Sequence, residues 1–358
     1  MDVQILLRDF KARFDPKISA YFDTVEANAK EEDLLITEAL RHVRNLTLSG
    51  GKRLRPACMF YGYLAGGGTD EEAILETAVS IELLHTFLLV HDDIIDRDDF
   101  RHGKPTLHRQ YAEFGRKYFP DRDVEHFGNS IALIVGDLLS AMSNDIIFRA
   151  PFPQERIFEA LSRLQSVVSY TVIGQAQDIY MEYKRDATEE EILKMYKNKT
   201  ARYTMERPIQ MGLLLAGDEG PLVDTLSGYA LPLGIAFQIQ DDILGVFGSE
   251  LKIGKPVGSD IQEGKLTLLV AYALEQGTHE QQQELRRILS LGTGVTLEDI
   301  ERFRNLLVET KSLVRAQEVA RHYIQDGKQV LEGVRGILPP RSFDFFEAIA
   351  DYMAEREY

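Results

Sequence analysis

The segment at residues 81–96 reads IELLHTFLLVHDDIID and determines how the rest of the chain is interpreted. Seven of its first ten residues are apolar, which favours burial, and Asp92, Asp93 and Asp96 follow. Buried carboxylates are costly unless they pair with cations or hold a metal. In a helix, Asp92 and Asp96 lie on one face, one turn apart. We therefore expect a buried helix whose carboxylate end binds a hard divalent cation, with Mg²⁺ as the best candidate.

A second acidic cluster ends another apolar stretch much further along the chain. It reads FQIQDDILG at residues 237–245 and contains Asp241 and Asp242. Gln238 precedes this pair on the same helical face, where its amide needs a partner and could equally form a structural hydrogen bond. If the two clusters face each other, they form an oxygen-rich site for Mg²⁺ that carries a phosphate ligand.

Basic residues occur close to both acidic clusters. Lys52 and Arg55 lie in the turn GGKRLRP at residues 50–56, and Arg101 opens the stretch RHGKPT. Lys199 and Thr200 lie in a helical context, and GKPVGSDIQEGK follows at residues 254–265. Each basic turn by itself is typical of solvated surface. Together with the carboxylates and apolar segments they indicate a site for phosphorylated substrates, since Arg forks and helix N-termini bind phosphate.

Composition excludes several classes of protein. The chain has 358 residues, with 41 basic and 57 acidic side chains and a net charge of −16, so a nucleic-acid partner is not expected. A single cysteine, Cys58, excludes an intramolecular disulfide and favours a reducing compartment. The N-terminal sequence lacks a signal-peptide layout, and no uninterrupted apolar run approaches the ~20 residues of a membrane span. We expect a cytoplasmic protein without a transmembrane segment.

The hydrophobic periodicity is helical nearly throughout, and no segment is predicted to be a strand. The longest predicted helices cover residues 71–96, 130–148, 154–179, 221–246 and 297–331. The interruptions are short, so the sequence predicts an all-α bundle of about a dozen helices in a single domain over residues 1–358. Residues 114–127, which are charged and aromatic around Pro120, are predicted to form a surface insertion.

The motifs in this order resemble those of the trans-isoprenyl diphosphate (polyprenyl) synthases, and most closely the geranylgeranyl diphosphate synthases. They are GGKRLRP, LLHTFLLVHDDIID, RHGKPT, NKT, FQIQDDILG and GKPVGSDIQEGK. The resemblance implies a large isoprenoid-synthase-type helical bundle around a central apolar cavity. It also implies about three Mg²⁺ ions per active site, a homodimer, and isopentenyl diphosphate and allylic prenyl diphosphates as substrates.

The resemblance implies a role for individual residues. Asp92, Asp96 and Asp241 would hold Mg²⁺, with Asp93, Asp242 and Asp260 nearby or acting through bound water. The residues that match the allylic diphosphate site are Arg101, Lys199, Lys255 and Lys265. The residues that match the isopentenyl diphosphate site are Lys52, Arg55, His85 and His102. Thr200 and Gln238 would face the developing allylic cation, and together with Lys199 they form the predicted catalytic set.

Two positions depart from the family pattern. His102 stands where the family usually has a second arginine, so the charge of the isopentenyl diphosphate site depends on the pKa of this imidazole. Gly245 replaces the last aspartate of the second motif, which predicts fewer groups around the metal site.

Product length depends on the floor of the cavity. The product tail is expected to run down the first acidic helix to Phe87 and Leu88. This arrangement resembles that of producers of the C20 geranylgeranyl diphosphate, with the C15 farnesyl diphosphate as the competing product.

A class I terpene cyclase and a head-to-head squalene or phytoene synthase fit the motifs less well. The alternative from another class is a non-catalytic regulatory subunit of a prenyl synthase.

Overall fold

Helices make up nearly all of the regular structure, and the predicted all-α fold class is confirmed. This computed structural model describes residues 2–30, 34–248 and 258–355. The helices of the first half are α1 Val3–Lys30, α2 Leu34–Leu48, α3 Leu54–Ala65, α4 Glu71–Ile95, α5 Leu107–Tyr118, α6 Val124–Phe148 and α7 Gln154–Lys184. Those of the second half are α8 Glu189–Tyr196, a π-helix Lys197–Glu206, α9 Arg207–Ala216, α10 Pro221–Phe247, α11 Ser259–Glu263, α12 Leu268–Gln276, α13 His279–Leu289, a 3₁₀ turn Gly292–Gly294, α14 Leu297–Glu309, α15 Ser312–Glu332 and α16 Pro340–Glu355.

The structure differs from the predicted secondary structure in two places outside residues 114–127. The helix predicted over residues 297–331 is broken at Lys311, which has a φ of 60° and separates α14 from α15. A short hairpin pairs β1 Phe100–Arg101 with β2 Lys104–Pro105, where no strand was predicted. Strands of two residues are too short to produce an alternating pattern, which explains why periodicity missed them.

The predicted insertion at residues 114–127 is not a separate loop. It comprises the end of α5, an exposed turn and the start of α6, which therefore begins six residues earlier than predicted. Asp123 caps α6 by accepting a hydrogen bond from the His126 amide at 3.0 Å. The rings of Phe119 and Phe127 pack against each other with centroids 5.7 Å apart, and this contact helps to fix the turn.

Internal contacts divide the chain into two compact units. The N-terminal unit comprises residues 2–162 and 211–217, and the C-terminal unit comprises residues 163–210 and 218 onward. The prediction of a single domain over residues 1–358 around a central cavity therefore stays a prediction.

In the N-terminal unit, α4 is the central helix and packs against α6, α3, α1 and α2. Asp70 caps its start by accepting from the Ala73 amide at 3.0 Å. Its middle turns are buried on every side, as the sequence predicts; Leu83 and Leu84 are fully buried. The last turn leaves this core, which places the first acidic cluster at its edge.

In the C-terminal unit, α10 packs against α15, the π-helix and α16. Gly234 permits the closest of these approaches, since a Cβ there would lie 2.5 Å from Ala201 Cα of the π-helix. Tyr229 of α10 is fully buried and donates a hydrogen bond to the Phe346 carbonyl of α16 at 2.6 Å. The second acidic cluster lies near the far end of this buried helix.

Within residues 2–30, 34–248 and 258–355, three helices are long and apolar enough to cross a membrane, judged by length and composition alone. They are α4, α6 and α10, and 78%, 39% and 50% of their most apolar windows are buried within the structure. The expected absence of a transmembrane segment therefore stays a prediction.

Candidate active site

The first acidic cluster occupies the last turn of α4. Asp92 and Asp96 are half-buried and one turn apart, and the Asp96 amide donates to the Asp92 carbonyl at 2.8 Å. Asp93 points elsewhere: it is 1% exposed and accepts a hydrogen bond from Arg101 Nε at 2.6 Å. Asp93 therefore holds Arg101, whereas the carboxylates of Asp92 and Asp96 are the accessible pair.

The β-hairpin folds Arg101 back onto the acidic cluster. His102 and Gly103 form its turn with φ values of 51° and 72°, and Thr106 Oγ1 closes it by donating to the Asp98 carbonyl at 2.8 Å. Burial tends to lower the pKa of Arg101, but the neighbouring carboxylates of Asp93, Asp92 and Asp98 outweigh it and raise that pKa. The guanidinium therefore stays charged beside the carboxylates.

The basic turn before α3 is anchored by Arg53, which sequence analysis did not select. Arg53 is 3% exposed and adopts a left-handed conformation with a φ of 57°. Its Nε donates to Asp15 Oδ1 at 2.8 Å and its NH1 to Glu82 Oε1 at 2.5 Å. Lys52 is exposed and Arg55 is half-buried on either side of this anchor. Glu82, an acid within the apolar stretch of α4, was the signal that could have revealed the pairing.

His85 lies within the electrostatic reach of several cations. Burial lowers its pKa well below the usual value, and Arg55, Arg101, Arg53 and His102 lower it further. The imidazole is therefore neutral at pH 7 and lies in a region of positive potential, which suits an anionic ligand. The structure thus brings His85 close to three further predicted diphosphate ligands, Arg55, Arg101 and His102.

His102 lies beside the Gly50 backbone, since a Cβ at residue 50 would be 3.4 Å from three atoms of the imidazole ring. Burial, followed by the charges of Arg101 and Arg53, lowers the pKa of His102. The lowered pKa therefore favours the neutral imidazole at neutral pH.

Phe87 and His91 occupy successive turns of α4 on the side that faces α6. Their rings meet edge to face with centroids 4.8 Å apart, and Phe87 is 8% exposed. His91 Nε2 lies 3.1 Å from the Leu133 carbonyl, and Gly136 leaves room for the ring, since a Cβ there would approach Nε2 to 2.3 Å. Leu88 is half-buried beside them.

In the C-terminal unit, the π-helix carries Lys199 and Thr200. π-Helices are rare and are frequent at functional sites. Lys199 Nζ lies 2.5 Å from Asp178 Oδ2 of α7, and Gly174 lets the two helices meet, since a Cβ there would be 2.4 Å from the Lys199 amide nitrogen. Asp178, one of four acids on the long helix α7, gave no signal in the sequence.

Gln238 and Asp242 form a buried polar chain with Thr200 and Tyr196. Thr200 Oγ1 donates to Gln238 Oε1 at 2.6 Å, and Gln238 Nε2 donates to Asp242 Oδ1 at 2.7 Å. The Tyr196 hydroxyl donates to Asp242 Oδ2. Burial raises the pKa of Asp242 to about 8. Both oxygens of Asp242 are used within the protein, so its predicted place among the metal ligands is not what this geometry favours.

Asp241 is half-buried near the end of α10, and Asp260 of α11 lies close to the same end. A Cβ at Gly245 would come within 2.6 Å of Asp260 Oδ2. Lys265 Nζ lies 3.6 Å from Asp260 and 2.5 Å from Glu263. Asp260 therefore brings a carboxylate to the turn where the family pattern has its last aspartate. Lys255, the remaining predicted ligand, lies outside the described residues.

The carboxylates fit Mg²⁺ that arrives with a phosphorylated substrate. Over residues 2–30, 34–248 and 258–355, no group of three or more Asp, Glu, His or Cys side chains forms a ready-made metal site. Mg²⁺ in proteins commonly uses one or two carboxylates and completes its shell with water and phosphate oxygens. Asp92 with Asp96, and Asp241 in the other unit, offer donors of this kind.

Comparison with known proteins identifies relatives over nearly the whole chain. The model of the polyprenyl synthetase family matches residues 36–307. A geranylgeranyl diphosphate synthase of Methanosarcina mazei is 34% identical over 322 residues, which are 90% of each chain. A geranylfarnesyl diphosphate synthase of Natronomonas pharaonis is 32% identical over 88% of this chain and 89% of its own. The crystal structure of geranylgeranyl pyrophosphate synthase from Corynebacterium glutamicum, complexed with isoprenyl diphosphate and magnesium, superposes with a TM-score of 0.91 at 31% identity and covers 98% and 99% of the two chains.

Proposed function

This chain belongs to the polyprenyl synthetase family, and on that premise we propose that it condenses isopentenyl diphosphate head-to-tail with allylic diphosphates. The observation that carries the proposal is the pairing of accessible Asp92 and Asp96 with the positive region around His85 in the same unit. Carboxylates for Mg²⁺ and cations for phosphate are the two elements that ionisation of a diphosphate requires.

Isopentenyl diphosphate binds to Lys52, Arg55, His85 and His102 in this proposal. Arg53 fixes the turn so that its neighbours converge, and the neutral His85 donates an N–H to phosphate oxygen. The neutral His102 contributes a hydrogen bond rather than a charge. Specificity for a diphosphate therefore comes mainly from Lys52 and Arg55.

The allylic diphosphate is held by Arg101, Lys199, Lys255 and Lys265. Asp92, Asp96 and Asp241 would hold Mg²⁺, for which we propose about three ions, and the metal when bound neutralises charge on the leaving diphosphate. Arg101, held by Asp93, adds a fixed positive charge next to Asp92.

The reaction breaks the bond between the allylic carbon and the diphosphate oxygen, and it joins that carbon to the terminal alkene carbon of isopentenyl diphosphate. This leaves a cationic carbon on the isopentenyl unit. A proton then leaves the carbon next to it and restores a double bond, so one diphosphate and one proton are released. Thr200 Oγ1 and Gln238 Oε1 present oxygen lone pairs toward the allylic cation. Apolar helix surfaces exclude water, which would otherwise capture the cation.

We propose geranylgeranyl diphosphate as the main product. Buried Phe87, held edge to face by His91, is the proposed floor for the growing chain, with Leu88 beside it. A longer product, geranylfarnesyl diphosphate, is the second candidate, because relatives from Natronomonas pharaonis and Aeropyrum pernix bear that name. Farnesyl diphosphate is the shorter alternative.

A homodimer is the proposed assembly. On α6, Leu133 and Ile134 are 44% and 60% exposed, and on α7, Val172 and Ile173 are 55% and 48% exposed. Exposed aliphatic pairs of this kind are typical of a surface that another chain covers.

We also propose that the protein acts in the cytoplasm, for which the single cysteine remains the main support.

The test is elongation by purified protein. Radiolabelled isopentenyl diphosphate and Mg²⁺ are incubated separately with C5, C10, C15 and C20 allylic diphosphates, and the products are sized. Accumulation of C20 product supports the main proposal. Accumulation of C25 or C15 product supports the proposed synthase activity but changes the proposed product length. Absence of elongation with every primer, while the protein remains folded, would support the regulatory-subunit alternative. The double variant Asp92→Asn with Asp96→Asn is the inactive control.

A further inference from the structure

Five groups in the C-terminal unit form one continuous chain of hydrogen bonds. The Leu268 amide donates to the Tyr196 hydroxyl at 3.1 Å, and this hydroxyl donates to Asp242 Oδ2. Gln238 Nε2 donates to Asp242 Oδ1 at 2.7 Å, and Thr200 Oγ1 donates to Gln238 Oε1 at 2.6 Å. Tyr196, Asp242 and Thr200 are all less than a tenth exposed, so water competes little for these bonds.

When Asp242 is ionised and therefore only accepts, each donor in this chain has only one useful direction. Rates of the variants below are therefore compared at about pH 9, above the raised pKa of Asp242. The Tyr196 oxygen accepts the Leu268 amide, so its own proton is available for Asp242. Asp242 Oδ1 accepts from the NH₂ end of Gln238, which turns the carbonyl end of that amide toward Thr200. Thr200 uses its hydroxyl proton on this carbonyl, so its oxygen offers only lone pairs to a further neighbour.

The four elements that carry the chain are α8, the π-helix, α10 and α12, and they pack closely. Tyr196 is the last residue of α8 before the π-helix, and Leu268 is the first residue of α12. Gly234 puts α10 in backbone contact with the π-helix, as the 2.5 Å approach to Ala201 Cα indicates. The side chains are therefore fixed by packing and not only by their own hydrogen bonds.

We propose that Tyr196 and Asp242 are positioning residues that set the orientation of the Gln238 amide and, through it, of the Thr200 hydroxyl. This inference rests on the proposed function, in which these two side chains face an allylic cation. With the observed orientation, both oxygens present partial negative charge to the cation; with the amide reversed, an NH₂ group would present positive charge instead. The sign of the electrostatic contribution is thus decided by two residues that do not touch the substrate.

The nearly isosteric variant Asp242→Asn tests the proposal. Because Tyr196 must donate, the new side-chain oxygen faces the tyrosine and the new NH₂ group faces Gln238. The Gln238 amide then has to reverse in order to accept from it. We expect kcat to fall about tenfold to a hundredfold, since misplaced dipoles in such sites cost roughly this much. KM for both substrates should change by less than about twofold, because neither diphosphate is contacted.

A double variant that exchanges the carboxylate and the amide between residues 242 and 238 distinguishes loss of amide orientation from general structural damage. Asp242→Asn combined with Gln238→Glu places a carboxylate at residue 238, which accepts from both the new amide and Thr200. We expect this double variant to recover about tenfold in kcat over Asp242→Asn alone, which is a coupling of the size found for residues in one network. Gln238→Glu alone should be less active than the double variant, because two carboxylates then oppose each other.

The matched control is Tyr229→Phe, which removes the hydroxyl of another buried tyrosine on α10. We expect it to lower the thermal midpoint and leave kcat within about twofold, whereas Tyr196→Phe lowers kcat as well. The positioning role is overturned if Asp242→Asn keeps kcat within twofold, or if the double variant does not recover. If the wild type forms no elongated product, the proposed function itself fails, so the two failures are distinguishable.

Discussion

Gly245 lies directly beside Asp260, so that a Cβ on residue 245 would come within 2.6 Å of the carboxylate oxygen Oδ2. The glycine is one turn beyond Asp241 on α10, and Asp260 belongs to α11. The space that an aspartate side chain would need at residue 245 is therefore occupied by a carboxylate from another helix. At the turn where the family pattern has its last aspartate, the carboxylate of Asp260 therefore lies beside a glycine.

Gly245→Asp should consequently impair the enzyme even though it restores the family motif. The new side chain displaces Asp260, so we expect the Mg²⁺ concentration for half-maximal activity to rise about tenfold, the effect of losing a supporting group at a metal site. The measurement is a Mg²⁺ titration of initial rates. Gly228→Ala is the control: it lies on the same helix with its nearest neighbour 3.6 Å from the new Cβ, and it should be active and somewhat more stable. An unchanged titration for Gly245→Asp would contradict this account.

His102→Arg should strengthen isopentenyl diphosphate binding. The lowered pKa leaves the wild-type imidazole neutral at pH 7, and protonation, which adds a favourable charge, occurs only as the pH falls through that lowered pKa. We expect KM for isopentenyl diphosphate at pH 7.5 to fall about tenfold in the variant, since hydrogen bonds to charged groups contribute roughly 1.5–3 kcal/mol. The ratio of wild-type to variant KM should shrink toward pH 5.5.

Arginine is conformationally acceptable at residue 102, because Arg53, Arg97 and Arg185 already adopt positive φ values in this chain. His126→Arg, at an exposed position on α6, controls for added surface charge. A KM ratio that is independent of pH would argue against titration of His102 as the cause.

Phe87→Ala should lengthen the product. Removing the ring opens the proposed floor beside His91, and the tail of a C20 product could continue by at least one C5 unit. The measurement is the size distribution of products from C15 primer. Phe60→Leu, a fully buried aromatic on α3, serves as the core control and should leave the distribution unchanged. An unchanged distribution in Phe87→Ala would place the floor elsewhere.

Arg53→Met should destabilise the protein and weaken isopentenyl diphosphate binding together. It leaves Glu82, whose pKa is already raised by burial, without its principal cation. Breaking a buried pair costs about 3–5 kcal/mol in free energy of unfolding. Arg149→Met, at an exposed ion pair on the surface, should leave the free energy of unfolding nearly unchanged. Chemical denaturation gives the free energy of unfolding of both variants. Equal decreases would contradict a larger contribution from the buried Arg53 pair.

Cys58 should be unreactive in the folded protein. Burial raises the pKa of its thiol to about 12, so only about one thiol in ten thousand is ionised at pH 8. Iodoacetamide at pH 8 is expected to leave the native protein unmodified and to label one site per chain in urea. Rapid labelling without urea would indicate that α3 opens locally.

Sequence patterns were sufficient for the helical architecture because a buried helix has to repeat apolar residues at every turn. The period is clear in α4 and α10, and the acidic ends of both helices could be located to the residue. The break at Lys311 was missed because α14 and α15 are both amphipathic, and only a backbone conformation separates them.

The partners of the polar groups could not be obtained from the pattern. Asp93 and Asp242 carry the same chemistry as Asp92 and Asp241, and a motif does not distinguish them. Helical geometry turns Asp93 inward to Arg101 and Asp242 inward to Gln238. Each pairing joins groups on different turns or elements of the chain.

The sequence by itself determined the helical fold class, the family and the positions of two carboxylate clusters and their neighbouring cations. These follow from residue type and short-range spacing, which the sequence records directly. Only the tertiary structure decided that the pKa of His102 is lowered, that the Asp260 carboxylate lies beside Gly245, and that Tyr196 and Gln238 both donate to Asp242. Burial and contacts between distant segments control these properties, because a pKa or the direction of a hydrogen bond depends on what surrounds a group in space.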